Sequence, residues 1–125
     1  MELEIEIGSP GPTERRVALR GRLDNTTAPR LEAELAPLLD RPAITSFVFR
    51  LDGLEYISSA GIRCVVRARK VIEGRGGRVV IVDAQPAVLK VFEIVKALPA
   101  DQIFASQAEL DADLDARQRR VRGQH

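Results

Sequence analysis

Phe47-Val48-Phe49-Arg50-Leu51-Asp52 and, a few residues on, Tyr56-Ile57-Ser58-Ser59-Ala60-Gly61-Ile62-Arg63 decide how this chain folds. The first run has apolar residues at consecutive positions, which suits a strand covered on both sides within a parallel sheet. The second opens the run Ile62 to Ile72, where Ile62, Val65, Val66 and Ile72 supply the core side of a helix. Two adjacent serines therefore stand where a strand passes into a helix. The first backbone N–H groups of a helix lack intrahelical partners, so a serine there can cap them. The same donors, with the positive end of the helix dipole, also suit an added anion such as a phosphoryl group. On its own the stretch reads as a structural cap or as a modification site.

Upstream, Leu3, Ile5 and Ile7 alternate with Glu2, Glu4 and Glu6, the period of a half-exposed edge strand. Gly8-Ser9-Pro10-Gly11-Pro12 breaks it, and Arg16 to Leu23 reads as a second strand. Asp24 to Thr27 offers several helix caps, Pro29 suits a first helical turn, and Ala28, Leu31, Leu35, Leu38 and Leu39 follow helical spacing. Pro37 is expected to kink or shorten the end of that helix. Downstream, Gly74-Arg75-Gly76-Gly77 closes the second helix, glycine tolerating the left-handed conformation common there. Val79 to Val82 is a fourth strand. Pro86 starts a third helix whose Val88, Val91, Phe92, Val95 and Leu98 recur at three and four residues, with Leu98-Pro99 as its stop. Ile103-Phe104 forms a short last strand, and Ser106 to about Val121 a final helix anchored by Leu110 and Leu114.

Strands alternating with helices after a first hairpin predict an α/β layer fold with right-handed crossovers. The expected core includes Leu35, Phe47, Phe49, Val65, Val80, Val82, Val88 and Phe92. If the second and third strands are parallel neighbours, their C-terminal ends bring Asp24 and Ser59 to one rim, where α/β sheets generally hold ligands and partners.

At 125 residues the chain suits one domain, and 45% hydrophobic with 30% charged residues is ordinary for a soluble globular protein. Nineteen basic against 18 acidic residues leave a formal charge of +1, giving no electrostatic reason to expect direct nucleic-acid or membrane binding. Cys64 is the single cysteine, so no intrachain disulfide can form. No signal-peptide pattern opens the chain and no apolar run approaches a membrane span. A cytoplasmic location is the resulting expectation.

Catalysis finds little support. A serine nucleophile needs a base, and the sole histidine is His125 at the chain's end. The Gly-x-Ser-x-Gly elbow is absent, since Ile57 stands two residues before Ser59. Cys64 faces the same lack of a base and is expected to pack as a small buried residue. One cysteine and one histidine cannot build a structural zinc site, and Asp111, Asp113 and Asp115 lack the glycine and later glutamate of a calcium loop. Gly74 to Gly77 lies between helix and strand, the reverse of a phosphate-binding loop. No cofactor and no metal are expected. Arg117, Arg119, Arg120 and Arg122 form a basic tail, favourable at a helix C-terminus and open to a partner contact.

Gly21, Leu23, Asp24, Thr27-Ala28 and Leu31, then Ile57-Ser58-Ser59-Ala60-Gly61-Ile62, Gly76-Gly77 and Pro86-x-Val88 resemble, in order and spacing, the STAS domain family. Within it they look most like bacterial anti-sigma factor antagonists. The resemblance implies a single α/β domain over residues 1–125, with a mixed sheet of four to five strands and about four helices packed mainly on one face. The core runs from about 3 to 110, and the C-terminal helix and basic tail from about 106 to 125. It implies a non-catalytic regulator that binds an anti-sigma factor with serine kinase activity and so frees a sigma factor. The kinase phosphorylates a serine at the start of the second helix, which ends the interaction, and a serine phosphatase resets it. Matched on Gly61, the acceptor is Ser59. The family's preceding aspartate is here Ser58, which is a competing acceptor. Asp24, Thr26, Thr27, Ser58, Ser59, Ala60, Gly61, Ile62 and Arg63 are the implied partner-binding residues, in a monomer or weak dimer. The alternative is a constitutive STAS subunit, as in a lipid-transport or stressosome-like assembly, in which Ser59 only caps a helix.

Overall fold

The computed structural model describes residues 2–123, with side chains as far as Arg119. Five strands form one sheet in the spatial order of the chain. They are β1 (Leu3–Gly8), β2 (Glu14–Leu23), β3 (Ser46–Ile57), β4 (Arg78–Val82) and β5 (Ile103–Phe104). β1 runs antiparallel to β2, and every later neighbour is parallel. Four helices, α1 (Ala28–Leu39), α2 (Ser59–Glu73), α3 (Pro86–Val95) and α4 (Gln107–Gly123), follow β2, β3, β4 and β5. The mixed sheet and its helices are those expected.

The apolar pattern dictates the layers. Phe47, Phe49, Val79 and Ile81 point into one core with Leu31 and Leu35 of α1, Val65 and Ile72 of α2, and Val88 and Phe92 of α3. Phe47 and Phe49 meet edge to face, ring centroids 6.0 Å apart, the arrangement favoured by the ring quadrupole. The intervening Val48, with Val80 and Val82, points the other way and meets Phe104 and Leu110 in a smaller cluster beneath α4. So α1, α2 and α3 cover one face, while α4 covers the β4–β5 side of the other. The eight expected core residues are all buried.

The remainder of the outer face is open and charged: Glu4, Glu6, Arg16, Arg20, Arg50 and Asp52 are exposed there. Solvation of those groups stands in for a covering helix, as suits an edge strand that must avoid pairing. α4 is pinned by Asp113, which accepts from Arg78 of β4 at 3.1 Å and from Arg117 at 2.8 Å. Arg78 also lies over the Phe104 ring. Ser106 accepts from the Glu109 N–H at 3.1 Å, the cap that starts α4.

Several sequence expectations are corrected. α1 continues through Pro37 and ends at Leu39, and Arg75 donates to the Leu39 carbonyl and to those of Arg41 and Ile44 in the loop that follows. The glycine-rich stretch after α2 ends the helix as expected, with Gly76 left-handed at φ 78° and Gly74 right-handed. α3 stops at Val95, where Lys96 turns left-handed, so Leu98 is buried from the following loop and Val95 is 51% exposed. Leu114 is 38% exposed and does not anchor α4. The side chains of Arg120, Val121 and Arg122, like the whole of His125, lie outside what the structure describes.

β3 is longer than the apolar run that announced it. It gains one extra residue over β2 between the pairs Ala18–Arg50 and Arg20–Gly53, and another between Gly21–Leu54 and Arg22–Tyr56. Such bulges bend a strand and redirect its side chains. Gly53 sits at the first, and a Cβ there would lie 2.7 Å from Cγ of Arg20, whose side chain crosses it.

Candidate functional site

The parallel pairing of β2 and β3 sets the site. Leu23 and Ile57 are register partners at the two strand ends, and the Ser58 N–H donates to the Leu23 carbonyl at 2.9 Å. The loop after β2 and the turn into α2 therefore lie side by side on the C-terminal rim. Asn25 completes the join, its Oδ1 accepting from the Ser58 hydroxyl at 3.4 Å. Asn25 was not among the residues singled out from sequence, since its contact depends on a register between distant segments.

The two serines have different jobs. Ser58 has extended backbone (φ −97°, ψ 176°) and its Oγ accepts from the Gly61 N–H at 3.4 Å, so it is the N-cap of α2. Ser59 is the first helical residue and is exposed. The cap expected of Ser59 is thus corrected to Ser58, because only the residue before the helix has the extended geometry that turns its side chain back to the amides. Ala60 is half-buried, Arg63 is exposed, and Gly61 and Ile62 are buried. A Cβ on Gly61 would lie 2.7 Å from Cγ of Leu23 and 2.8 Å from Cγ1 of Ile57. Glycine there lets α2 start directly against the strand ends. Gly61 and Ile62 hold the turn in place, while Ser59 and Arg63 face solvent and Ala60 is partly covered.

Across the rim, Asp24 shapes its own loop. Its Oδ1 accepts from the N–H groups of Thr26 and Thr27, each at 3.0 Å. The Thr27 hydroxyl accepts from the Asp24 N–H and donates to the Arg22 carbonyl, both at 2.9 Å. Thr27 is therefore engaged within the loop, whereas Thr26 is exposed. The Thr27 N–H, then the Thr26 N–H, hold the Asp24 carboxyl below the usual carboxylate range, with Arg22 at 4.0 Å adding to the effect. A carboxylate that stays ionised at neutral pH thus shares the rim with Ser59.

No alternative chemistry gathers at this rim. Among the described residues no cluster of histidine, cysteine, aspartate and glutamate could hold a metal. Cys64 packs between α1 and α2 as expected, where burial, followed by the nearby Glu32, pushes its thiol up to about 11. A groove of about 690 Å³ lies between α3, β5 and α4, but it is lined by residues such as Leu89, Leu98 and Phe104 and includes none of the rim residues. The arrangement is a polar surface at the strand ends, with Thr26, Ser59 and Arg63 exposed.

Comparison with known proteins places the fold. The STAS domain matches residues 11–110. The candidate anti-sigma factor antagonist BtrV of Bordetella bronchiseptica is 40% identical over 76 residues, 61% of this chain and 65% of BtrV. The anti-sigma F factor antagonist of Lysinibacillus sphaericus is 25% identical over 77 residues, 62% of this chain and 66% of that protein. In both cases the match spans slightly under two thirds of the relative's length. The solved structure of the anti-sigma factor antagonist SpoIIAA in its unphosphorylated form superposes with a TM-score of 0.77, covering 90% of this chain and 97% of SpoIIAA at 18% identity. No described helix is long and apolar enough to cross a membrane. From the loop before β2 to the start of α4, the match covers most of the sequence, and the chain belongs to the STAS domain family.

Proposed function

We propose that this chain is an anti-sigma factor antagonist, a cytoplasmic binding module without catalysis of its own. It binds an anti-sigma factor with serine kinase activity, releases the sigma factor, and is switched off when that kinase phosphorylates Ser59. A serine phosphatase restores it. The observation that carries this reading is the division of labour at the turn. Ser58 does the capping, and Ser59 stands exposed with no capping task to lose. The names of the two relatives support the role. Ser58 in place of the family's aspartate fits as well, because serine and aspartate are near-equivalent N-caps.

The energetics suit a switch. A phosphoryl group adds roughly −1.5 to −2 charges and three acceptor oxygens. A partner surface fitted to a neutral hydroxyl would have to desolvate that dianion, beside an Asp24 that is already ionised. A penalty of about 3 kcal/mol weakens binding on the order of 10²-fold. The helix N-terminus can hold the phosphate in the free protein, so the modification need not damage the fold.

The test is mass spectrometry of the protein after incubation with the cognate kinase and ATP, paired with affinities of variants. Phosphate is expected on Ser59, with Ser58→Ala still modified, Ser59→Ala still bound and Ser59→Asp bound poorly. Label on Ser58 would move the switch by one residue. No label on either serine, with unchanged binding by Ser59→Asp, would replace the switch by a constitutive scaffold.

A further inference from the structure

Tyr56 is the only tyrosine, and it stands outside the core that takes Phe47, Phe49 and Phe92. It is 41% exposed. The Arg22 guanidinium lies over its ring, 4.2 Å from the centroid. Arg22 is itself 46% exposed along its side chain and reaches Asp24 only at 4.0 Å, which leaves most of its five donors free.

The strand is irregular at this point in a way that exposes the ring. Leu54 points into the core. Regular alternation would then turn Glu55 out, Tyr56 in and Ile57 out. The extra residue between the pairs Gly21–Leu54 and Arg22–Tyr56 breaks that order, so Ile57 is buried and both Glu55 and Tyr56 face out. The fold thus places an aromatic residue in solvent where the pleat would have buried it. Bulges that re-aim a side chain are over-represented beside functional sites.

We infer that Tyr56 and Arg22 form a partner-binding anchor that extends the rim site onto the outer face of the sheet. The inference rests on the antagonist reading above and names further residues of the same site. Tyr56 is three residues from Ser59, at most about 11 Å along an extended chain, well inside one interface patch of roughly 800 Å² per partner. Tyrosine and arginine are the types that most often dominate binding energy. Here the guanidinium already holds the ring, so docking immobilises little that is not held beforehand. The fitting occupant is a protein surface with an apolar pocket for the ring and a carboxylate at its edge for Arg22. The exposed Glu55 and the ionised Asp24 on either side disfavour a nucleic acid.

The experiment measures affinity for the purified cognate anti-sigma factor kinase by calorimetry, with melting curves of each variant as a folding control. Tyr56→Ala and Arg22→Ala should each bind at least ~10-fold more weakly with unchanged melting. Tyr56→Phe should stay close to the parent. The double variant should lose less than the product of the single losses, because the two side chains act through one stack. Ile94→Ser, on the exposed side of α3, should bind normally. Unchanged affinity in Tyr56→Ala and Arg22→Ala overturns the anchor, as does a loss confined to Ile94→Ser. If Ser59→Asp fails to bind while Tyr56→Ala binds normally, the anchor falls and the switch stands. The opposite pair of results keeps the anchor and removes the switch. No binding by the unmodified protein removes both.

Discussion

The two ends of the parallel strands use their polar groups in opposite ways. At the N-terminal end the backbone is bound to itself. The N–H groups of Thr45 and Ser46 both donate to the Thr13 carbonyl, and the Arg78 N–H donates to Thr45. Gly77 approaches so closely that a Cβ would lie 2.1 Å from the Thr45 carbonyl oxygen. Arg75 donates to the last carbonyl of α1 and to two in the loop after it, and Arg15, itself buried, donates to those of Gly11 and Glu14. At the C-terminal end only the frame is tied, through Ser58, Asn25 and Asp24, while Ser59, Thr26, Tyr56 and Arg63 face water. One end holds the sheet together, and the other is left with groups that a second molecule can use. Substitutions should separate the two.

Gly77→Ala should have the largest effect. Its methyl meets backbone that cannot swing aside, so a loss of at least ~3 kcal/mol is expected, read as a lower urea midpoint. An unchanged midpoint would show that the N-terminal end is less tightly bound than its geometry indicates. Arg75→Met should follow, at ~1–3 kcal/mol, since it strips partners from the carbonyls that end α1 and its loop. Hydrogen exchange should quicken first around Leu39 to Ile44. At the other end, Ser58→Ala should cost ~1 kcal/mol, the ordinary loss of a cap. Ser59→Ala should stay within ~0.5 kcal/mol, as an exposed position without a structural task does. Equal losses at the two serines would erase the distinction between cap and acceptor.

The smallest effect is in acid. The Asp24 carboxyl is held below its usual range in the folded chain, so protonation favours the unfolded state. Its stabilising contribution is complete above the unfolded value of about 3.9 and is lost as pH falls through the lower folded one. Asp24→Asn should therefore flatten the decline in melting temperature below about pH 4. Some decline should remain, because Asp113, held down by Arg117 and then Arg78, responds in the same direction. A parallel decline in parent and variant would place the acid sensitivity elsewhere.

Much of the fold could be read where one rule acted alone. Leu3, Ile5 and Ile7 alternate, and β1 is an edge strand. Phe47 to Phe49 are apolar without alternation, and both faces of β3 are covered at that stretch. The same reading failed where a local backbone state overrode the period. Val95 and Leu98 look like successive helical contacts, but Lys96 ends α3 between them. The β3 bulges and the Arg75 clamp were invisible, because both are relations between segments distant in the chain. At the site, Ser58, Ser59 and Asp24 were legible from their place before helices. Which serine caps α2, what Asn25 touches, and that Tyr56 carries Arg22 on its ring required the register of β2 on β3.

The position of Tyr56 also makes the protein its own optical instrument. With no tryptophan and no second tyrosine in the chain, ultraviolet emission excited near 280 nm comes from one ring, roughly 11 Å or less along the backbone from Ser59. An incoming tryptophan, a change in the overlying guanidinium, or a nearby phosphate would each alter that signal without a label. A spectrum that usually averages over a whole molecule would here report on one end of one sheet.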